Sequence, residues 1–119
     1  MDKILAFSTA TQLRHLIVTK KISPVDLTEV YLRRIDALNP LMNSYLTVMY
    51  DYAMDQAKNA EQAVMDKSTV LGPLHGIPIS VKDLDAVKGI RTTFGSLVFQ
   101  DYISKQDSII VERMKNSGA

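Results

Sequence analysis

Cysteine is absent from the 119 residues of this chain. That excludes disulfides, thiolate zinc sites and a cysteine nucleophile, and it fits a reducing compartment. Long apolar runs are missing as well. The N-terminal run, Ile4 through Phe7, is too short for the core of a secretory signal. A membrane-spanning helix needs about 20 apolar residues. We therefore expect a soluble, cytoplasmic chain with no membrane role. Charge of one sign is also lacking: 14 Lys and Arg stand against 13 Asp and Glu, for a net charge of +1. Such a balance gives no general attraction to nucleic acid or anionic lipid. The pairs Lys20-Lys21 and Arg33-Arg34 are short and read as solvated helix faces.

Most chemical motifs are missing too. The glycines at 72, 76 and 95 match neither a phosphate-binding loop nor a dinucleotide fingerprint. No HExxH pattern and no carboxylate cluster with metal spacing occurs, so we expect neither metal nor cofactor. No serine sits in a G-x-S-x-G elbow. His75 has no acidic or second-histidine pattern near it and reads as a turn histidine bonded to backbone.

What is present is the material of one domain at most: 46% hydrophobic and 23% charged residues. Residues 1–66 read mainly as helix. Thr9 with Gln12 makes a capping box, followed on one face by Leu13, Leu16 and Ile17. Ser23-Pro24 opens a second helix with Leu27, Tyr31, Ile35 and Leu38 on its apolar face, and Asn39-Pro40 is expected to end it. Residues 44–49 are a short strand candidate. Residues 51–65 form a third helix with Ala53, Ala57, Ala60 and Val64 on one stripe. Residues 67–119 read as strand–loop–helix. The strand is residues 77–82, with Pro78 near its start. Residues 83–106 read as mixed, with Gly89, Thr92-Thr93 and Gly95-Ser96 pointing to loops and room for one short strand, and Asp107 is expected to cap a last helix with Ile110, Val111 and Met114 inward and Gly118 past its end. Two strands and four helices close a domain poorly. We read the chain as a fragment, or one piece of an assembly, of a larger α/β sheet protein, against the alternative of a complete small α+β domain.

Residues 72–83, GPLHGIPISVKD, carry the chemistry. Strand alternation puts Ile79 and Val81 on one face and Ser80 and Lys82 on the other. Such a polar face either meets solvent or lines a pocket, and spacing alone favours solvent. The buried alternative is demanding. A lysine titrates near 10.4 in water, so working as a base near pH 7 requires an environment that disfavours its cation by about 4 kcal/mol. Burial supplies effects of that size. A carboxylate close by opposes it, so Asp83 is expected to point away and hold the following loop.

These residues resemble the N-terminal part of the amidase signature family. The likeness runs through GPLHGIPISVKD, then Lys88-Gly89-Ile90-Arg91-Thr92-Thr93 and Gly95-Ser96. Ser23-Pro24-Val25, Tyr31-Leu32, Arg34-Ile35 and Asn39-Pro40 are similar to the family's second helix. Asp107, Val111-Glu112-Arg113 and Gly118-Ala119 are similar to the helix before its next core strand. The resemblance implies an α/β fold: the N-terminal portion of an α/β/α amidase-signature architecture, helices first and then the first core strands of a mixed sheet, with 1–119 as a single unit. It implies hydrolysis of a small-molecule amide by a serine, a second serine in a cis peptide bond, and a lysine. By position Lys82 is that lysine, the general base acting through the second serine. Both family serines lie in a Gly-Ser-rich stretch with no counterpart here, and neither Ser80 nor Ser96 takes their place. One of three catalytic side chains is therefore present, and the chain alone is expected to be inactive. Asp85 stands where an apolar residue is expected, a minor departure. Two further readings stand beside the free amidase. One is the amide-hydrolysing component of a tRNA-dependent amidotransferase, which works with partner subunits. The other is a non-catalytic module that pairs, as a homodimer or with another chain, through an open sheet edge.

Overall fold

The computed structural model describes residues 2–119, with side chains from Ile4 onward. Five α-helices follow one another among the described residues: α1 Asp2–Leu5, α2 Ala10–Val18, α3 Pro24–Met42, α4 Tyr50–Met65 and α5 Ile109–Asn116. A single 3₁₀ turn, Leu97–Phe99, interrupts the long loop before α5.

Local chemistry explains the helix starts. Thr9 accepts from the Gln12 amide, and the Gln12 side chain returns a bond to the Thr9 amide at 2.8 Å, which is the expected capping box. Ser23 accepts from Asp26 N–H at 2.9 Å, and Pro24 fills the first turn, where its missing N–H costs nothing. Helix α3 does not stop at Pro40. It continues to Met42 and ends with Asn43 in the left-handed region at φ 49°. The Asn39 side chain explains the late exit: it donates to Tyr45 O at 3.0 Å and accepts from Tyr45 N–H at 2.8 Å, tying the departing chain back onto the last turn. A proline this close to a helix end removes one bond and is tolerated there.

Leu5, Leu13, Ile17, Leu27, Val30 and Ile77 form one buried cluster, with Leu16, Ile22, Tyr31, Val64 and Leu74 packed against it. The predicted inward faces of α2 and α3 supply Leu13, Ile17 and Leu27, with Leu16 and Tyr31 beside them, while Leu5, Val30 and Ile77 come from outside those faces. Helix α4 packs along α3, with Val64 against the core cluster and Ala57 the one buried member of its alanine stripe. Around this core the chain is open. A monomer of 13.3 kDa exposes roughly 6,500 Å² by surface scaling, whereas this one exposes 8137 Å². The excess is apolar: Leu41, Leu46, Val70, Leu97, Val98, Ile109 and Ile110 all lie on the surface. Ile110 therefore does not face inward as expected, and Val111 alone of α5 is buried.

The two expected strands do not form. Residues 44–49 and 77–82 are irregular, and the sole β feature among the described residues is an isolated antiparallel bridge between Arg91 and Ile103. A strand needs a neighbour to satisfy its ladder. No other segment of the described chain lies along residues 77–82, so the expected opening of a mixed sheet is replaced by a mostly helical structure. The α5 cap is corrected as well. Ser108, not Asp107, is the N-cap, while Asp107 accepts from Lys88 N–H at 2.7 Å and pairs with Lys115 at 2.9 Å.

Candidate active-site segment

Residues 72–83 are held by the helices on both sides of the chain. Arg14 on α2 donates from Nε to Gly72 O at 3.0 Å and from Nη2 to Leu71 O at 3.3 Å. The C-terminal end of α5 binds the same loop: Leu74 N–H donates to Ser117 O at 3.0 Å and Gly76 N–H to Gly118 O at 2.8 Å. These approaches require glycine. A Cβ on Gly72 would sit 2.2 Å from Ser117 O, and one on Gly76, at φ +72°, would sit 2.8 Å from Pro24 Cγ. His75 is buried in this junction, its Nε2–H donating to Ala60 O at 2.9 Å. That is the backbone-bonded turn histidine expected from the sequence, and it welds the loop to α4.

Ile77 then plunges into the helical core. Beyond it the chain runs out over the surface. Ile79 and Val81 are each 37% exposed, and Ser80 and Lys82 are exposed. Both faces of this stretch meet solvent. Lys82 lies exposed, so the described residues do not by themselves provide the desolvated setting that a base requires. The Lys82 ammonium makes no ion pair among the described residues. Its backbone is well fixed all the same, since Lys82 O accepts from Asp85 N–H at 2.8 Å and closes a tight turn.

Asp83 does what the sequence implied. Its Oδ1 accepts from Thr93 N–H at 2.8 Å, its Oδ2 accepts from the Thr93 hydroxyl, and its own carbonyl accepts from Phe94 N–H at 3.0 Å. Partial burial works to raise its pKa. The Thr93 hydroxyl, the Thr93 and Gly95 amides and the Arg91 charge outweigh it and hold the carboxyl below the usual carboxylate range. In the sequence Thr93 stands out only as a loop residue and as part of the family likeness, and Arg14 does not stand out at all. Neither sits in a pattern that signals contact with residues 71–83, because those contacts span 10 to 58 positions along the chain.

A family model described as Amidase matches residues 26–119. The chain belongs to the amidase family. Among curated proteins it is 43% identical over 108 residues to the glutamyl-tRNA(Gln) amidotransferase A subunit of Methylobacillus flagellatus, covering 91% of this chain. It is 40% identical over 108 residues to the protein of that name from Nitrosomonas europaea, covering 90% of this chain. In both cases the chain spans only 22% of the relative's length. Among solved structures, a bacterial aryl acylamidase of the amidase signature enzymes superposes with a TM-score of 0.86 at 25% identity, over 95% of this chain and 24% of that one. A fatty acid amide hydrolase superposes with a TM-score of 0.91 at 23% identity, over 99% of this chain and 21% of that one, a likeness of fold. No helix among the described residues is long and apolar enough to cross a membrane.

Proposed function

We infer that residues 1–119 are the lysine-bearing part of an amide-bond hydrolase. Lys82 is its general base and works through serines carried on a further stretch of polypeptide. The observation that carries this reading is the segment itself: a lysine and an aspartate at the end of GPLHGIPISVKD, with the preceding glycines locked against α2, α3 and α5. In this mechanism the further stretch covers residues 77–82, pairs with their free backbone groups and removes Lys82 from water. The amine then accepts the proton that the nucleophilic serine loses through the second serine. The serine oxygen attacks the amide carbonyl, the proton held by the lysine passes back through the second serine to the leaving nitrogen as the carbon–nitrogen bond breaks, and water, losing its proton along the same route, resolves the acyl-enzyme and restores the serine. The exposed apolar side chains Ile79, Val81, Leu97, Val98 and Ile109 suit a face that other polypeptide covers. The names of the relatives at 43% and 40% identity favour the amidotransferase version of this chemistry, in which the substrate is the amide of glutamine and the chain works with partner subunits.

The test is gain of activity. The full chain is fused to the part of the Methylobacillus flagellatus protein that follows the region of similarity, and amide hydrolysis is measured with glutamine and with a simple carboxamide. We expect hydrolysis by the fused protein and none by the chain alone. A folded fusion that releases no ammonia from either substrate, or full activity of the unfused chain, would overturn the reading.

A further inference from the structure

We propose that Asp83 and Thr93 form a positioning pair that fixes the direction in which Lys82 leaves residues 77–82; this rests on the reading of Lys82 as the base. Lys82 sits at the junction of two constraints. On its N-terminal side Ile77 is locked in the core. On its C-terminal side the chain turns at once, and three acceptor atoms of Asp83 grip the segment ten residues on: Oδ1 takes Thr93 N–H at 2.8 Å, Oδ2 takes the Thr93 hydroxyl, and the carbonyl takes Phe94 N–H at 3.0 Å. The Thr93 hydroxyl in turn accepts from Gly95 N–H at 3.2 Å, so both ends of that hydroxyl are used. Thr93 is buried at 6% exposure, and Asp83 is half-buried.

The gripped segment has an unusual backbone. Phe94 lies at φ 52° and Gly95 at φ 70°, two consecutive left-handed residues, the first with a bulky side chain. A phenylalanine holds that conformation only where its surroundings impose it. Here the Phe94 and Thr93 amides converge on Asp83, and the Phe94 ring packs against Phe99 and Tyr102, so both ends of the residue are held. A loop that merely returned to α5 would not need this. The pair also accounts for the acid next to the base. The Asp83 carboxylate is turned toward Thr93, with both of its oxygens hydrogen-bonded there. The pair thus sets the exit geometry of Lys82 and diverts a neighbouring negative charge from it.

The test uses the fused protein above, with glutamine as substrate, and reads kcat and KM separately per folded molecule. Thr93→Val keeps the shape and removes the hydroxyl. We expect kcat to fall about 10- to 100-fold, the range for small misplacement of a reacting group, with KM unchanged. Thr93→Ser, which restores the hydroxyl, should return kcat to within about threefold of the parent. A purely structural role would lower the yield of folded protein and leave that split and rescue absent. Lys82→Ala separates the two ideas. If it abolishes hydrolysis while Thr93→Val and Asp83→Asn keep parental kcat, the positioning role is overturned and the base stands. If Lys82→Ala retains parental kcat, the base reading falls. Should Thr93→Val fail to fold, hydrogen exchange on the full chain decides. Asp83→Asn is expected to speed exchange of the Thr93 and Gly95 amides at least about tenfold without changing the α2 and α3 amides, and equal rates in both forms would overturn the pair.

Discussion

Gly72 offers the sharpest test of how the lysine-bearing segment is held. Its hydrogen faces the end of α5 so closely that a methyl group there would lie 2.2 Å from Ser117 O and 2.7 Å from Ser117 C. Both are backbone atoms, so no side chain can rotate away. Alanine must push the loop off α5. Forcing extra volume into a packed site costs roughly 1–3 kcal/mol. The movement also stretches the Leu74–Ser117 and Gly76–Gly118 hydrogen bonds, at 3.0 and 2.8 Å. Each of these contributes about 1 kcal/mol net. Gly72→Ala should therefore destabilise the chain by about 3 kcal/mol. With a urea slope of about 1–3 kcal/mol per molar, the midpoint falls by roughly 1–3 M. Gly89→Ala is the internal control. It has open space around its missing Cβ but stands at φ +78°, so only the left-handed conformation counts against it. That cost is about 1 kcal/mol. Urea unfolding followed by far-ultraviolet circular dichroism measures both. A Gly72→Ala midpoint equal to the parent's, or a larger loss for Gly89→Ala, would refute the clamp.

Three further outcomes follow from the same contacts. Ile77→Ala removes the residue that ties the segment to the helical core and should cost about 3 kcal/mol in the same urea experiment. Thr9→Ala breaks the capping box of α2 and should cost about 1 kcal/mol, with helix loss confined to residues 10–18 by hydrogen exchange. Asp83, Asp107 and Lys115 contribute to the pH dependence, beside Asp66 and Tyr50. The Lys115 ammonium and the Lys88 amide hold the Asp107 carboxyl below its usual range, and the Thr93 bonds do the same for Asp83 against its partial burial. Burial works to lower Lys115, but Asp107 and Tyr52 outweigh it and hold it above its usual value. Depressed carboxyls stabilise above their unfolded pKa of about 4 and lose that contribution as pH falls through the folded value. A raised lysine stabilises below about 10.4 and loses its contribution as pH rises through its folded value. Thermal midpoints should therefore be flat from about pH 5 to 9 and fall at both ends, and Asp107→Asn should flatten both flanks. An unchanged acid flank in Asp83→Asn and Asp107→Asn would contradict the assignment.

The helices were legible because their signals are local. Thr9 with Gln12 and Ser23 with Pro24 write each start within four residues; the apolar spacing names the buried Leu13 and Ile17 of α2, but on α3 it finds Leu27 and misses Thr28 and Val30. Pro40 misled because its effect depends on where the helix ends, and Asn39 sets that by bonding to Tyr45, six residues away. Asp107 and Ser108 are both good caps side by side. The choice fell to Ser108 because Lys88 and Lys115 occupy the aspartate. Residues 77–82 have a strand's composition, but strand state is a property of pairing, and pairing is not written in one segment. The same holds for Lys82. The residue is recognisable in the sequence by the motif around it, and among the described residues its side chain lies exposed. Asp83 was readable as the residue that holds the next loop, but its partner Thr93 was not, since nothing local marks a contact across ten residues.

The central claim is that Lys82 is the base of an amide hydrolase. The most direct measurement is kcat/KM for glutamine in the fused protein with Lys82 and with Lys82→Met, a substitution that keeps the length of the side chain and removes the amine. A general base contributes about 10²- to 10⁴-fold. We expect a loss in that range with the folded fraction unchanged, and a Lys82→Met protein that hydrolyses the amide at the parental rate would contradict the account.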